Sequence, residues 1–168
     1  MSKAFTREDD QPEAPVLARR NSSLPPGTQN LMTPDGAQRL REEFARLQAT
    51  REALLTTKGD PDKAQKLAAI EQRALVLDDS LRTASVVQPP AAPDGHVRFG
   101  AVVTVRDPAG KPATHRIVGV DEVDFDRGWV SWRSPIAKAL LNARVGQRVR
   151  VKLPGGETEL EVIAVAYD

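Results

Sequence analysis

The sequence predicts an α+β protein in which an antiparallel helical hairpin precedes a strand-rich unit with one short helix. Three observations predict it. Apolar residues recur at spacings of three and four along two adjoining stretches within residues 31–87. A proline-rich break follows at residues 88–95. Short β-branched runs punctuated by turn signals then fill residues 96–168. The composition permits this plan. A chain of 168 residues holds one domain or two small ones, and at 40% hydrophobic it can build a core. Aromatics are only 4%, so packing rests on aliphatic side chains. Lys and Arg number 24 against 23 Asp and Glu, for a net charge of +1, which makes no case for the basic stripe of a nucleic-acid binder. Cysteine is absent, which excludes disulfides, thiolate metal ligands and cysteine nucleophiles, and suits a reducing cytoplasm. No apolar run nears the roughly 20 residues of a membrane helix. The N-terminus MSKAFTREDDQPEAP lacks the apolar core of a signal peptide.

Residues 1–30 carry Pro12, Pro15, Pro25 and Pro26, an acidic cluster at Glu8, Asp9 and Asp10, and the pair Arg19 and Arg20. Large apolar side chains are too few to offset the entropy of ordering, so this segment reads as a disordered tail. Residues 31–87 make the hairpin. Thr33-Pro34-Asp35 supplies an N-cap, a first helical residue and a favourable first-turn acid. Ala37, Leu40, Phe44, Leu47 and Leu54 follow on one face, with Arg51 at the skipped position. Gly59 suits a left-handed helix end, and Asp60-Pro61 restarts the pattern as N-cap and first position. Leu67, Ile70, Ala74, Leu77, Leu81 and Ala84 then trace a heptad seam. Joined by a tip at residues 58–62, the two arms must run antiparallel. An arm of about 24 residues is about 36 Å long at 1.5 Å per residue.

Residues 88–95 form a semi-rigid linker. In residues 96–168, strands are expected at 97–105 (broken at Gly100), 114–120 and 129–132, with a turn at 107–110. Ser134 and Pro135 open a short helix to Leu141. Strands at 147–153 and 157–166 pair across Pro154-Gly155-Gly156.

The residues offer no self-contained active site, so the chain reads as a non-enzyme. His96 and His115 lie apart without ligand spacing and read as structural or solvent-facing. Asp121, Glu122, Asp124 and Asp126 read as a solvated acidic loop. The exception is the hairpin tip, where Asp60 and Asp62 sit at the end of a long rod. They can serve as helix caps, or as carboxylates that hold Mg²⁺ jointly with another molecule.

Several stretches belong together: Thr33-Pro-Asp-Gly-Ala-Gln-Arg-Leu40, Gly59-Asp60, Val97-Arg-Phe-Gly100, His115-Arg-Ile-Val-Gly-Val-Asp-Glu122, Ser134-Pro-Ile-Ala-Lys-Ala-Leu-Leu141 and Val145-Gly146. From about Leu31 to Tyr167 the chain thereby resembles the bacterial Gre transcript cleavage factors, GreB more than GreA. The resemblance implies an N-terminal coiled coil and an FKBP-like C-terminal domain. That domain would dock at the rim of the RNA polymerase secondary channel through Ser134, Pro135 and Ile136, with Asp121 and Glu122 nearby. The coiled coil would enter the channel, bringing Asp60, with Asp62 as a second tip carboxylate, to a Mg²⁺ shared with the polymerase, close to the nascent RNA 3′ end. The resemblance further implies a cytoplasmic monomer with no cofactor of its own.

The tip departs from the family pattern Gly-Asp-x-x-Glu-Asn, reading Gly59-Asp60-Pro61-Asp62-Lys63-Ala64. Lys63 thus places a positive charge where the second acid belongs. The arms are also about one heptad shorter on each side, which shortens the rod by roughly 10 Å. A Mg²⁺ ligand must sit at about 2.1 Å. Both features argue against normal cleavage stimulation and neither argues against polymerase binding. The resulting expectation is an elongation factor acting on arrested or backtracked complexes. The alternative is an Rnk-type regulator that binds polymerase and competes with cleavage factors. A third reading, prolyl isomerase, follows from the fold alone and needs an aromatic pocket from Phe99, Phe125, Trp129, Trp132 and Tyr167.

Overall fold

The computed structural model describes residues 24–167, so most of the expected tail, residues 1–23, lies outside the described residues. Thr33 caps helix α1 (Pro34–Thr56), its hydroxyl accepting from the Gly36 amide at 2.9 Å. Gly59 turns the chain with φ of 77°, which a glycine adopts without steric cost. Helix α2 (Lys63–Thr83) returns antiparallel to α1. Ion pairs cross between the arms, Arg73 to Glu43 at 2.7 Å and Arg51 to Glu71 at 3.1 Å. Arg51, which interrupts the apolar face, is therefore a cross-arm partner. Helix α2 begins two residues later than expected, because Pro61 and Asp62 form a turn in which the Lys63 amide donates to the Asp60 carbonyl.

Burial along the hairpin is graded. Met32, Ala37, Leu40 and Leu77 are buried at its base, with Phe44, Leu47, Leu81 and Ala84 packed against them. Toward the tip, Leu54, Leu67 and Ile70 are only half-buried. Two helices bury a stripe between them and no more, so full enclosure occurs only where other elements join.

Those elements include a short parallel pair, β1 (Asn30–Met32) on β2 (Ala84–Val86). Its strands of three residues are too short to show alternation in sequence. The pairing corrects two expectations. Ala84 leaves the helical seam to open β2, and Asn30 is a buried strand residue, not part of the tail. The Asn30 amide Nδ2 donates to the Ser80 carbonyl (3.3 Å), the Thr83 hydroxyl (3.3 Å) and Asp121 (3.4 Å).

The C-terminal strands form one five-stranded sheet: β3 (Val102–Arg106), β4 (Pro112–Val118), β5 (Trp129–Ser131), β6 (Arg148–Leu153) and β7 (Gly156–Ala166). Their order is β5-β4-β3-β7-β6, antiparallel throughout except for β4 beside β5. Alternation sends Val103, Val105, Val149, Val151, Leu160 and Val162 to one buried face. Helix α3 (Pro135–Leu140) covers that face with Ala137 and Leu140. This core is separate from the one at the hairpin base. A 3-10 turn, Val120–Glu122, follows β4 and lies against β1.

Candidate functional site

The hairpin tip sets two carboxylates, Asp60 and Asp62, among the ammonium groups of Lys58, Lys63 and Lys66. Asp60 Oδ1 accepts from the Asp62 amide at 2.9 Å, and Oδ2 lies 2.8 Å from Lys66 Nζ. The Lys66 ammonium, helped by the Asp62 amide, holds the Asp60 carboxyl below its ordinary pKa of 3.8. Lys63 folds back over the end of α1, its Nζ donating to the carbonyls of Leu55 (2.8 Å) and Thr57 (2.9 Å). Those carbonyls lack partners within the helix and carry the negative end of its dipole. Asp62 is exposed at the N-cap position of α2 and makes no side-chain cap bond there. The fold thus joins Asp60 to Asp62 through the backbone only, and joins Asp60 to Lys66 directly. Among the described residues no group of three His, Asp or Glu gathers that could hold a metal. Mg²⁺ takes hard oxygen ligands in near-octahedral geometry. With Asp60 already bonded to an ammonium, Asp62 joined to it only through its amide, and Lys63 nearby, the tip does not by itself fit such a site.

At the other candidate surface, the Ser134 hydroxyl accepts from the Ala137 amide at 3.2 Å and so caps α3. Pro135 is exposed, while Ile136 is half-buried against the core. Asp121 is half-buried and accepts from Asn30. The expectation of a solvated acidic loop fails at Glu122, which is 5% exposed. Its Oε2 accepts from the amides of Thr33 and Gly119, both at 2.9 Å, and its Oε1 accepts from the Thr33 hydroxyl. An outward docking surface therefore excludes the Glu122 carboxyl. The reason is room. Gly36 and Gly119 leave space that any side chain would fill, and a Cβ on Gly36 would lie 1.9 Å from Oε1. The two glycines were visible in the sequence, but that they flank one carboxyl 86 residues from Gly36 was not.

Sequence reasoning also missed Trp129. Its ring is flanked by the guanidinium groups of Arg39 (4.4 Å to the centroid), Arg116 (5.1 Å) and Arg127 (5.2 Å), a cation–π cluster between α1 and the sheet. Phe99, Trp132 and Tyr167 pack on the main core, and Phe125 is 85% exposed on a turn. The five aromatics therefore do not converge on a prolyl-peptide pocket. His96 accepts from Arg144 Nε at 2.6 Å and lies near Asp94, a clasp between the linker edge and the sheet unit. His115 is half-buried, and burial pushes its pKa below 6.5. Both fit the structural reading.

Comparison with known proteins adds independent support. Residues 92–167 match the family described as transcription elongation factor, GreA/GreB, C-term. The transcription elongation factor GreA of Ralstonia nicotianae is 38% identical over 81% of this chain and 96% of its own. The transcription elongation factor GreB of Neisseria meningitidis serogroup B is 32% identical over 83% of this chain and 95% of its own. The solved GreA/GreB factor of Nitrosomonas europaea is 21% identical over 83% of this chain and 99% of its own, with a TM-score of 0.42. Identity is thus higher to this GreA chain than to this GreB chain.

Proposed function

The chain belongs to the GreA/GreB family of transcription elongation factors, and from that premise we propose that it occupies the RNA polymerase secondary channel without stimulating transcript cleavage. In this reading the hairpin is the family's coiled coil, and the five-stranded sheet with α3 is its FKBP-like docking domain. Pro135, the edge of Ile136 and the half-buried Asp121 form the docking surface beside the capped start of α3. The protein works in the cytoplasm, where its partner is.

The tip carries the proposal. Asp60 would have to leave Lys66 before facing a Mg²⁺ held by the polymerase, and Lys63 brings a cation where a second acid would help. Electrostatics at this end repel a divalent cation instead of completing its shell. Chain length is compatible with the shorter arms expected from the sequence. The match to the Ralstonia chain spans 152 positions but takes in 81% of this chain, about 136 residues. About 16 positions of that relative therefore lack a counterpart, close to the roughly 14 of two heptads. The Rnk-type alternative shares the expectation of binding without cutting, and no observation favours it over the Gre reading.

The test adds purified protein and Mg²⁺ to polymerase stalled in a backtracked complex, and scores binding and 3′ RNA shortening together. We expect binding without shortening, and slower shortening by an added cleavage-competent Gre factor. Shortening that Asp60→Asn abolishes would overturn the cleavage-silent reading. Absence of binding would overturn the docking assignment.

A further inference from the structure

We propose that Glu122 is a positioning residue that sets the direction in which the helical hairpin projects from the five-stranded sheet. The inference concerns the free protein and does not rest on the polymerase reading.

Glu122 belongs to the 3-10 turn after β4, on the sheet side, yet most of its bonds go to the hairpin side. The amide and the hydroxyl of Thr33 both donate to it, and Thr33 is the N-cap of α1. The Thr33 hydroxyl also accepts from the Gly36 amide, so one chain of hydrogen bonds runs from the first turn of α1 into the Glu122 carboxyl. The same carboxyl accepts the Gly119 amide and lies 3.7 Å from Arg39 of α1. A carboxyl removed from water needs such donors, and each has a fixed direction. The orientation of α1 is therefore tied to the orientation of the turn. Close packing sharpens the tie. A Cβ on Gly119 would meet the Leu31 carbonyl oxygen at 2.3 Å and Glu122 Oε2 at 2.7 Å, so the turn lies directly on β1.

Weaker contacts around the junction act in the same sense. Asn30 joins the end of α2 to Asp121 of the turn. Arg39 stacks on Trp129 of β5, and Arg116 of β4 lies 3.6 Å from Asp35 of α1. Asn30 is buried like Glu122 and holds α2 to the turn beside it, whereas the arginine contacts involve partly exposed groups that water can reach. The geometry gives the junction long reach. An arm of 23 residues is about 35 Å long, so a 10° rotation at the base moves the tip by about 6 Å. Small changes at one carboxyl thus become large changes in where the tip lies.

The absence of cysteine makes the test direct. Cysteines replacing the exposed Lys58 and Lys152 carry spin labels on the tip and the sheet, and electron–electron resonance reads the distance between them. The parent should give one narrow distribution. Glu122→Ala should broaden it at least twofold or shift it by more than 5 Å, while near-ultraviolet circular dichroism shows the sheet core intact. Glu122→Gln keeps an acceptor for the two amides and should stay near the parent distance. Gly36→Ala, which forces the carboxyl aside from the helix end, should shift the distribution without touching Glu122 itself. A parent distribution that is already broad overturns the proposal, as does a folded Glu122→Ala that keeps the parent distribution. If Glu122→Ala does not fold, Gly36→Ala decides, and an unchanged distribution there overturns it.

Discussion

Lys63 shows how one residue changes meaning between sequence and structure. The resemblance sets it where an acid is expected, and the structure gives this base a local task, capping the Leu55 and Thr57 carbonyls. A cation at a helix C-terminus is worth about 0.3–1 kcal/mol. Lys63→Ala should therefore speed amide exchange across residues 57–63 about two- to fivefold, read by hydrogen–deuterium exchange. Asp60 gives a second test. Its folded pKa lies below 3.8, so its pairing with Lys66 stabilises the tip above that value. The stabilisation is lost only as pH falls through the depressed pKa. A carboxyl-detected NMR titration should place the Asp60 midpoint below 3.8 and show no change in the contact between pH 5 and 8. Lys66→Ala should move the midpoint up toward 3.8. The capping chemistry of Thr33, Pro34, Ser134 and Pro135 was legible residue by residue, because a cap acts within one turn of chain. The partners of Lys63 and Glu122 were not, because each is supplied by another element.

At the scale of the element, the two helical arms follow from apolar spacing, and their unequal burial follows from what else reaches them. Leu77 is 2% exposed, enclosed by both arms and by the β1–β2 pair. Leu77→Ala should cost about 2–4 kcal/mol. Leu54, half-buried near the tip, should cost about 1 kcal/mol or less when cut to Ala, since solvent already reaches its site. Urea unfolding midpoints of the two variants check the gradient, and equal losses would contradict it. The bridging pair Arg73–Glu43 is partly exposed, so its contribution should be no more than about 1 kcal/mol and should shrink in high salt. The strands of the sheet were legible from alternation and from the Pro154-Gly155-Gly156 turn. The boundaries moved where a turn competed, as at residues 97–101, where Gly100 at φ of 86° delays β3 to Val102.

At the scale of the whole molecule, two separate cores meet at one polar junction. Residues 88–168 contain the whole larger core, so this fragment should fold alone with a single cooperative thermal transition. Without Thr33, its Glu122 carboxyl loses two hydrogen-bond donors and keeps the Gly119 amide, and amide exchange in residues 119–123 should rise above that in the full chain. Residues 24–90 carry only the small core at the hairpin base and should be much less stable by themselves. Calorimetry on the two fragments distinguishes these outcomes.

The two arms, the turn that joins them, the capped helix α3 and the strand-rich character of the C-terminal half could all be read from the order of residues. Each is written in neighbouring residues, through apolar period, cap chemistry or turn propensity. That order also carried the family motifs and the altered tip. Folding in three dimensions put Asn30 and Ala84 in paired strands, set Lys66 against Asp60, and buried Glu122 as an internal fastener instead of a surface acid. Those facts depend on contacts between residues far apart in the chain. A charged residue reads the same in sequence whether water or three buried donors surround it.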